Sequence, residues 1–452
     1  MAAHKVVILD GSGASDEDLT PILRLLEDVH RADGAEVETF PLRKMKLAHC
    51  LGCFGCWLKT PGMCVEDDTG RQVAKAAIQS DTLVLYTPVT FGGYSPDLKK
   101  MLDHFIQLTS PFFEMDHGEV HHPPRYARRP RLIVVGVQTK PDAHEAHVFK
   151  TLAGRNAINL HPPAFAAEVV VSTDSSEFNR QRFERLLVRS DALPFGDAAA
   201  SLMPLPAVPA VGGGPNTARR ALLIVGSPKT NAPSTSSILG SYLLERVSER
   251  GWDVESLTLR AVLRCTEGEN ALLAAVDRAG LIVFAFPLYV DCLPYLATKA
   301  LTVIAAHRSA TANPPPQRLM AIVNSGFPET HQNSIALAIC HEFAEQSGIT
   351  WAGGLALGGG GAVGQQPLTA EKRTGLPVKH VIRALDLAAE ALSDGRPVPA
   401  EAVVSMAKNP VPLIPFALWC RMYMRFGGTG FEREAARNGI SKERLLDRPY
   451  AA

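Results

Sequence analysis

Four of the chain's eight cysteines fall within fifteen residues, as Cys50-Leu-Gly-Cys53-Phe-Gly-Cys56-Trp57, closed by Cys64 after Pro61-Gly62. Thiols grouped this way in a reducing compartment point to metal, cluster or redox chemistry rather than to a disulfide framework. Three readings of the spacing Cys-x2-Cys-x2-Cys-x7-Cys stand side by side. Four close thiolates match the ligand count of a [4Fe–4S] cluster. A structural zinc would more often use two separated cysteine pairs. Bare thiols lining a pocket are the third reading. Cys265, Cys340 and Cys420 are scattered and read as incidental thiols, whereas Cys292 lies in a loop with other chemistry-bearing residues.

A second group of polar side chains follows a short apolar run, as Gly226-Ser-Pro-Lys-Thr-Asn-Ala-Pro-Ser234-Thr-Ser-Ser237. Hydroxyls, free N–H groups and a lysine at a helix start can cradle a phosphate. An ordinary Ser/Thr helix cap is the alternative. The corresponding loop near the N-terminus, Gly11-Ser-Gly-Ala-Ser-Asp16-Glu17-Asp18, carries three carboxylates that would repel a phosphate. Two further loops, Pro88-Val-Thr90-Phe91-Gly92-Gly-Tyr94 and Pro287-Leu288-Tyr289-Val290-Asp291-Cys292, combine backbone N–H groups with aromatic or aliphatic side chains suited to the edge of a planar ring.

These groups must be positioned by the elements around them. Continuous apolar runs at 5–10, 81–88, 131–137 and 168–171, and again at 220–225, 280–287, 319–324 and 350–356, alternate with helical patterns such as 19–29 and 236–250. That alternation predicts parallel sheets covered on both faces. The expected fold is therefore α/β, as two tandem doubly wound five-stranded parallel-sheet domains. We expect domains over 1–194 and 220–395, an Ala/Pro/Gly linker over 195–219 and a C-terminal extension over 396–452. The first half is longer than the second, between its first loop and third strand, by about the length of the cysteine loop. Ligands of open parallel sheets bind beyond the carboxyl ends of the strands, where strand order reverses, and that rule selects the same loops.

Lys+Arg and Asp+Glu balance at 46 each, which removes the electrostatic case for nucleic acid as a partner. No apolar run reaches the roughly 20 residues of a membrane span, and the N-terminus has no secretory leader pattern. A cytoplasmic location is the expectation. The apolar stretch 410–426 is expected to pack on the second domain or a partner subunit. The stretch His117-Gly-Glu119-Val-His121-His122 with Arg125, Arg128 and Arg129 reads as a polar loop with anion or metal capacity, and the glycines of 353–364 as a close-approach loop.

Taken together, these residues resemble the flavodoxin-like NAD(P)H-dependent FMN reductases, and among them the iron-sulfur flavoproteins. The similarity rests on Gly226-Ser227 after a first strand and on Thr87-Pro88-Val-Thr-Phe91 running to Leu98-Lys99 and Asp103-His104. It also rests on the cysteine stretch ending in Cys64 and Asp67-Asp68. The resemblance implies FMN with its phosphate held by Ser227, Lys229, Ser234, Thr235 and Ser236, its ring on Pro287, Leu288, Tyr289, Val290 and Asp291, and a third wall at Ser325-Gly326. Pro88, Thr90, Phe91 and Gly92 would contact flavin from the first half. It further implies NAD(P)H as donor and a quinone, flavin or nitro/azo compound as acceptor. Cys50, Cys53, Cys56 and Cys64 would be the metal ligands in the electron-carrier version, whose partner is a redox protein. A non-enzymatic flavin-binding sensor or scaffold is the third functional reading. A homodimer is compatible with the family's habits, and no acid–base side chain is required for hydride transfer.

Overall fold

The computed structural model describes residues 4–14, 16–189, 218–229, 232–370, 376–410 and 414–451. Most of the expected linker lies outside the described residues. The chain divides into two units, Met1–Ala198 with Met422–Ala452, and Ala199–Arg421. Residues 422–452 thus belong to the first unit, although the whole second unit precedes them in the chain.

In the first unit the strands are β1 (Lys5–Asp10), β2 (Glu36–Pro41), β3 (Thr82–Pro88), β4 (Glu114–Asp116), β5 (Glu119–His121), β6 (Arg131–Gln138) and β7 (Phe165–Val171). Five of them form one parallel sheet in the order β2-β1-β3-β6-β7, and β4 and β5 form a separate antiparallel hairpin. In the second unit β8 (Arg220–Val225), β9 (Asp253–Thr258), β10 (Leu281–Pro287), β11 (Arg318–Asn324) and β12 (Thr350–Leu357) make a parallel sheet in the order β9-β8-β10-β11-β12. Counted by position in each sheet, both orders are 2-1-3-4-5, the flavodoxin-like arrangement with its reversal between the first and third strands.

The central strands are the continuous apolar runs of the sequence, buried because helices cover both faces. Core side chains such as Val6, Ile8, Val84 and Ile133 in the first unit, and Leu223, Val283 and Ile322 in the second, come from the sheets. The edge strands β2 (Glu-Val-Glu-Thr-Phe-Pro) and β9 (Asp-Val-Glu-Ser-Leu-Thr) are partly exposed and carry no apolar run.

The extra length of the first half lies between β2 and the helix Thr69–Gln79; the equivalent connection in the second unit is only the short helix Leu259–Val262 and a turn before the helix Thr266–Arg278. Asp68 closes this insert. Its Oδ1 accepts the Gly70 N–H (2.8 Å) as helix cap, and its Oδ2 accepts the Ala48 N–H (2.6 Å). One carboxylate so joins the entry and the exit of the cysteine loop.

Candidate functional site

The cysteine loop leaves the carboxyl end of β2 and is shaped by two Cys-x-Gly steps. The Gly52 N–H donates to Cys50 Sγ (3.5 Å) and the Gly55 N–H to Cys53 Sγ (3.4 Å). Phe54 stands in the left-handed region (φ 53°) at the start of a one-turn helix, Gly55–Leu58, that carries Cys56. Cys64 is fixed from both sides: its N–H donates to Gln107 Oε1 (3.0 Å) and its carbonyl accepts from Arg71 Nε (2.9 Å). All four cysteines line one pocket, together with His104 and Gln107.

Burial pushes the Cys50 thiol up to about 12, helped by the Asp103 carboxylate, and pushes Cys56 well above its usual value; Cys64 rises for the same first reason. The thiols of Cys50, Cys56 and Cys64 also feel the charge of neighbouring cysteines. Such a group cannot carry several thiolates without a compensating cation, so metal uptake here would release protons. The donor set, the enclosed pocket and the N–H groups directed at sulfur fit a thiolate-bound metal centre.

The wall behind Cys56 is aromatic. Trp57 is fully buried and donates its indole N–H to the carbonyls of Ile106 (3.0 Å) and Thr109 (3.1 Å). Phe54 stacks on Trp57 with ring centroids 5.1 Å apart, and Phe431 meets Trp57 edge-on at 5.3 Å. The motif residues Lys99 and Asp103 form a fully buried ion pair in consecutive helical turns, and His104 Nε2 lies 2.8 Å from the Ala48 carbonyl at the loop's entry.

At the carboxyl edge of the first unit's sheet, the loop after β1 has its amides already engaged. The Ser12 N–H donates to Asp10 (2.9 Å) and the Gly13 N–H to Asp16 (2.7 Å), while Arg43 binds the Gly13 carbonyl (2.7 Å). After β3, Thr90 and Gly93 exchange backbone hydrogen bonds around Phe91 (φ 55°) and Gly92 (φ 76°). Pro88 and Thr90 are half-buried. Phe91 and Gly92 are buried, and the Gly92 N–H donates to Glu145 (3.3 Å). The turn is packed down upon the helix Ala143–Leu160, where a Cβ on Gly92 would strike Val148 at 2.7 Å.

The second unit presents the same edge differently. Ser227 is buried, its Oγ accepts the Lys229 N–H (3.4 Å), and Lys229 itself is exposed. Ser234 caps the helix Thr235–Ser248 through a capping box with Ser237. Thr235 donates to the Gly360 carbonyl (3.1 Å) and Ser236 to Asn324 Oδ1 (2.7 Å), so these hydroxyls pin the loop after β8 to the loops after β11 and β12. The turn after β10 has the hydrogen-bond pattern of its first-unit counterpart, with Tyr289 and Cys292 paired and Val290 (φ 49°) and Asp291 (φ 53°) at the tip. A β-branched residue in this region carries strain on the order of 1–3 kcal/mol, a feature that clusters at ligand sites. Pro287, Leu288, Tyr289 and Val290 are half-buried, whereas Asp291 is buried. Leu288 N–H bonds the Asn324 carbonyl (2.8 Å). Ser325 is buried and Gly326 exposed on the adjoining loop. The selected residues of this unit therefore share one edge, with a serine, an exposed ammonium and a half-exposed turn as the donor set available to a flavin phosphate and ring.

The His117 stretch forms the turn and second strand of the β4–β5 hairpin. Glu119 is buried between Arg155 Nη1 (2.6 Å) and His121 Nε2 (3.1 Å), an internal ion-pair network rather than an open site. Sequence reasoning missed Gln107 and Tyr450 beside the cysteines. The nearest available signal was the basic stretch that contains Arg125.

Among the described residues, no helix is long and apolar enough to cross a membrane. Residues 4–170 match the NADPH-dependent FMN reductase family. An iron-sulfur flavoprotein of Methanocaldococcus jannaschii is 31% identical over 108 residues, which is 24% of this chain and 55% of that relative; the chain thus spans about half the length of the curated relative it matches. An NAD(P)H:quinone oxidoreductase from Methanothermobacter marburgensis aligns over 41% of this chain and 97% of its own, at 13% identity and a TM-score of 0.34. An azoreductase from Bacillus anthracis aligns over 39% and 99%, at 13% identity and a TM-score of 0.27.

Proposed function

We propose that the chain is a cytoplasmic FMN-dependent oxidoreductase that takes hydride from NAD(P)H and reduces a small acceptor such as a quinone, flavin or nitro/azo compound. The observation that carries this reading is the family match over residues 4–170, on a sheet order whose ligand edge is repeated in both units. We place FMN in the second unit, because the amides after β1 are occupied by Asp10 and Asp16 while Ser227 and Lys229 face no such carboxylate in their loop. Ser227, Lys229 and the backbone before the helix Thr235–Ser248 would hold the phosphate. The strained turn from Tyr289 to Cys292, with Ser325 and Gly326, would set the plane of the ring. FMN, when bound, accepts an electron pair as hydride and returns electrons singly or in pairs. The residues bind and orient; none is assigned a proton-transfer role.

A second reading is favoured by the cysteine pocket: an electron carrier in which Cys50, Cys53, Cys56 and Cys64 hold an iron-sulfur cluster and the partner is a redox protein. Thiolates around one tetrahedral ion at about 2.3 Å would stand about 3.8 Å apart. The only group of three or more ligand side chains with atoms within 4.8 Å of one another, among the described residues, is His341, Glu342 and Glu345. Four cysteines lining one pocket match the ligand count of a cluster, which supports this reading. Protein purified without oxygen is expected to show flavin absorption bands and to oxidise NAD(P)H with a quinone. Absence of bound flavin after reconstitution with FMN would refute both readings. About four irons and four sulfides per chain with little NAD(P)H turnover would make the carrier reading the better one.

A further inference from the structure

The cysteine pocket is completed by the far end of the chain. Residues 431–450 return to the first unit and touch the loop at several independent points. Ala435, Ile440 and Leu445 pack in one apolar cluster with Cys56, Trp57 and Leu58. Pro449 sits on Gly62, two residues before Cys64; a Cβ on Gly62 would meet Pro449 Cδ at 2.5 Å, and its φ of +84° also requires glycine.

Two polar contacts go further than packing. Gln107 Oε1, which accepts the Cys64 N–H, also accepts the hydroxyl of Tyr450 (3.1 Å), and Gln107 is fully buried. Tyr450 is in turn held by its N–H to the Tyr126 hydroxyl (3.2 Å) and by its carbonyl to Gln79 (3.1 Å). Arg125, 1% exposed, gives Nε to the carbonyls of Gln107 and Thr109 and Nη1 to those of Leu445 and Asp447, both at 2.8 Å. Its Nη2 is buried without a hydrogen-bond partner, and the guanidinium lies within electrostatic reach of Cys56. A buried cation with an unused donor is otherwise an uncompensated cost.

We propose that Arg125 and Tyr450 are positioning residues of the cysteine centre. Tyr450, through Gln107, holds Cys64 in place; Arg125, anchored on the carbonyls of Gln107, Leu445 and Asp447, supplies a buried positive charge on the side of the pocket that Gln107 lines, for an anionic thiolate–metal group. Residues 445–450 are on this view a component of the metal site. The proposal rests on the reading that the four thiols bind iron.

The test uses the full chain and three variants, Tyr450→Phe, Arg125→Gln and Arg125→Lys, with a fourth lacking residues 447–452. Each is loaded without oxygen with ferrous iron and sulfide, and checked for unchanged far-ultraviolet dichroism. The deletion and Tyr450→Phe are expected to lose iron to a chelator about 10- to 100-fold faster than the parent, the range for removing a group that supports a ligand. Arg125→Gln is expected to lower the midpoint potential, because loss of a nearby positive charge disfavours the more negative reduced state; Arg125→Lys restores it in large part. Parental chelator resistance and potential in all variants would overturn the proposal. Parent protein that takes up no iron overturns the metal reading alone. Labelling of the metal-free protein with iodoacetamide then still decides the positioning role: faster modification of Cys64 in Tyr450→Phe supports it, and an unchanged rate refutes it.

Discussion

Two imidazoles of the first unit are kept neutral by the fold. Burial holds His30 down to about 4, with His4 and Arg131 adding to the effect, and burial holds His122 down to about 4 despite its bond to the Phe112 carbonyl. In an unfolded chain both would titrate near 6.5. Above that value neither state binds the proton and the folded state keeps its full advantage. Between 6.5 and 4 only the unfolded chain is protonated, so stability falls with pH and the loss is complete below the folded value. Each residue accounts for about 3 kcal/mol at most. Denaturant melts followed from pH 7.5 to 4.5 should show the first unit weakening, and His30→Gln should flatten the profile. A slope unchanged by that substitution would remove His30 from the account. The same residue-level logic explains why buried thiols are protonated at neutral pH until a metal takes the proton's place.

Among the elements, the helix Pro96–Leu102 with the turn Asp103–Leu108 carries a charged pair in the interior: Lys99 and Asp103 are paired with both side chains buried. Removing one partner leaves the other charge buried alone, which costs about 3–5 kcal/mol, whereas an apolar pair of similar volume is often neutral. Lys99→Met should therefore lower unfolding free energy by that amount, and Lys99→Met with Asp103→Leu should recover most of it. Urea unfolding decides the matter; equal losses in the single and double variants would mean that the pair has no special energetic role. The sequence showed the central strands because a strand buried on both faces has to be apolar throughout. It did not locate β2 and β9. As edge strands they carry few apolar residues, with Val37 and Phe40 in one and Val254 and Leu257 in the other standing three apart, a pattern that loops and helices also produce. The β4–β5 hairpin read as a long polar loop because its buried Glu119 is satisfied by Arg155, 36 positions onward, and its His121 by Glu119 and by Asn159, 38 positions onward, partners that only the fold supplies. The thiols of the cysteine site were legible from spacing alone. Its walls were not, since Gln107, Arg125 and Tyr450 meet Cys56 and Cys64 through single long-range contacts that leave no periodic trace.

For the whole molecule, the decisive feature is that the first unit is discontinuous. A chain cut at the apparent domain boundary, residues 1–194, retains the five-stranded sheet but loses every group contributed by 422–451. Trp57, fully buried in the complete chain, would lose Phe431, Ala435 and Leu445 as neighbours, and the Arg125 guanidinium would lose two of its carbonyl acceptors. Each large apolar side chain so uncovered forfeits on the order of 1.5–3 kcal/mol, and the stripped guanidinium adds a desolvation cost of about 1–3 kcal/mol or more. Against a typical domain stability of about 5–15 kcal/mol, these losses are large enough to leave the fragment marginal. The expected outcome is a fragment that melts well below the full chain and exposes Trp57 to quenching by iodide. Adding the separate segment 416–452 should recover both properties, because the contacts are apolar and backbone-directed and need no covalent continuity. A fragment as stable as the full chain, with Trp57 still shielded, would show that the C-terminal residues decorate the first unit without completing it.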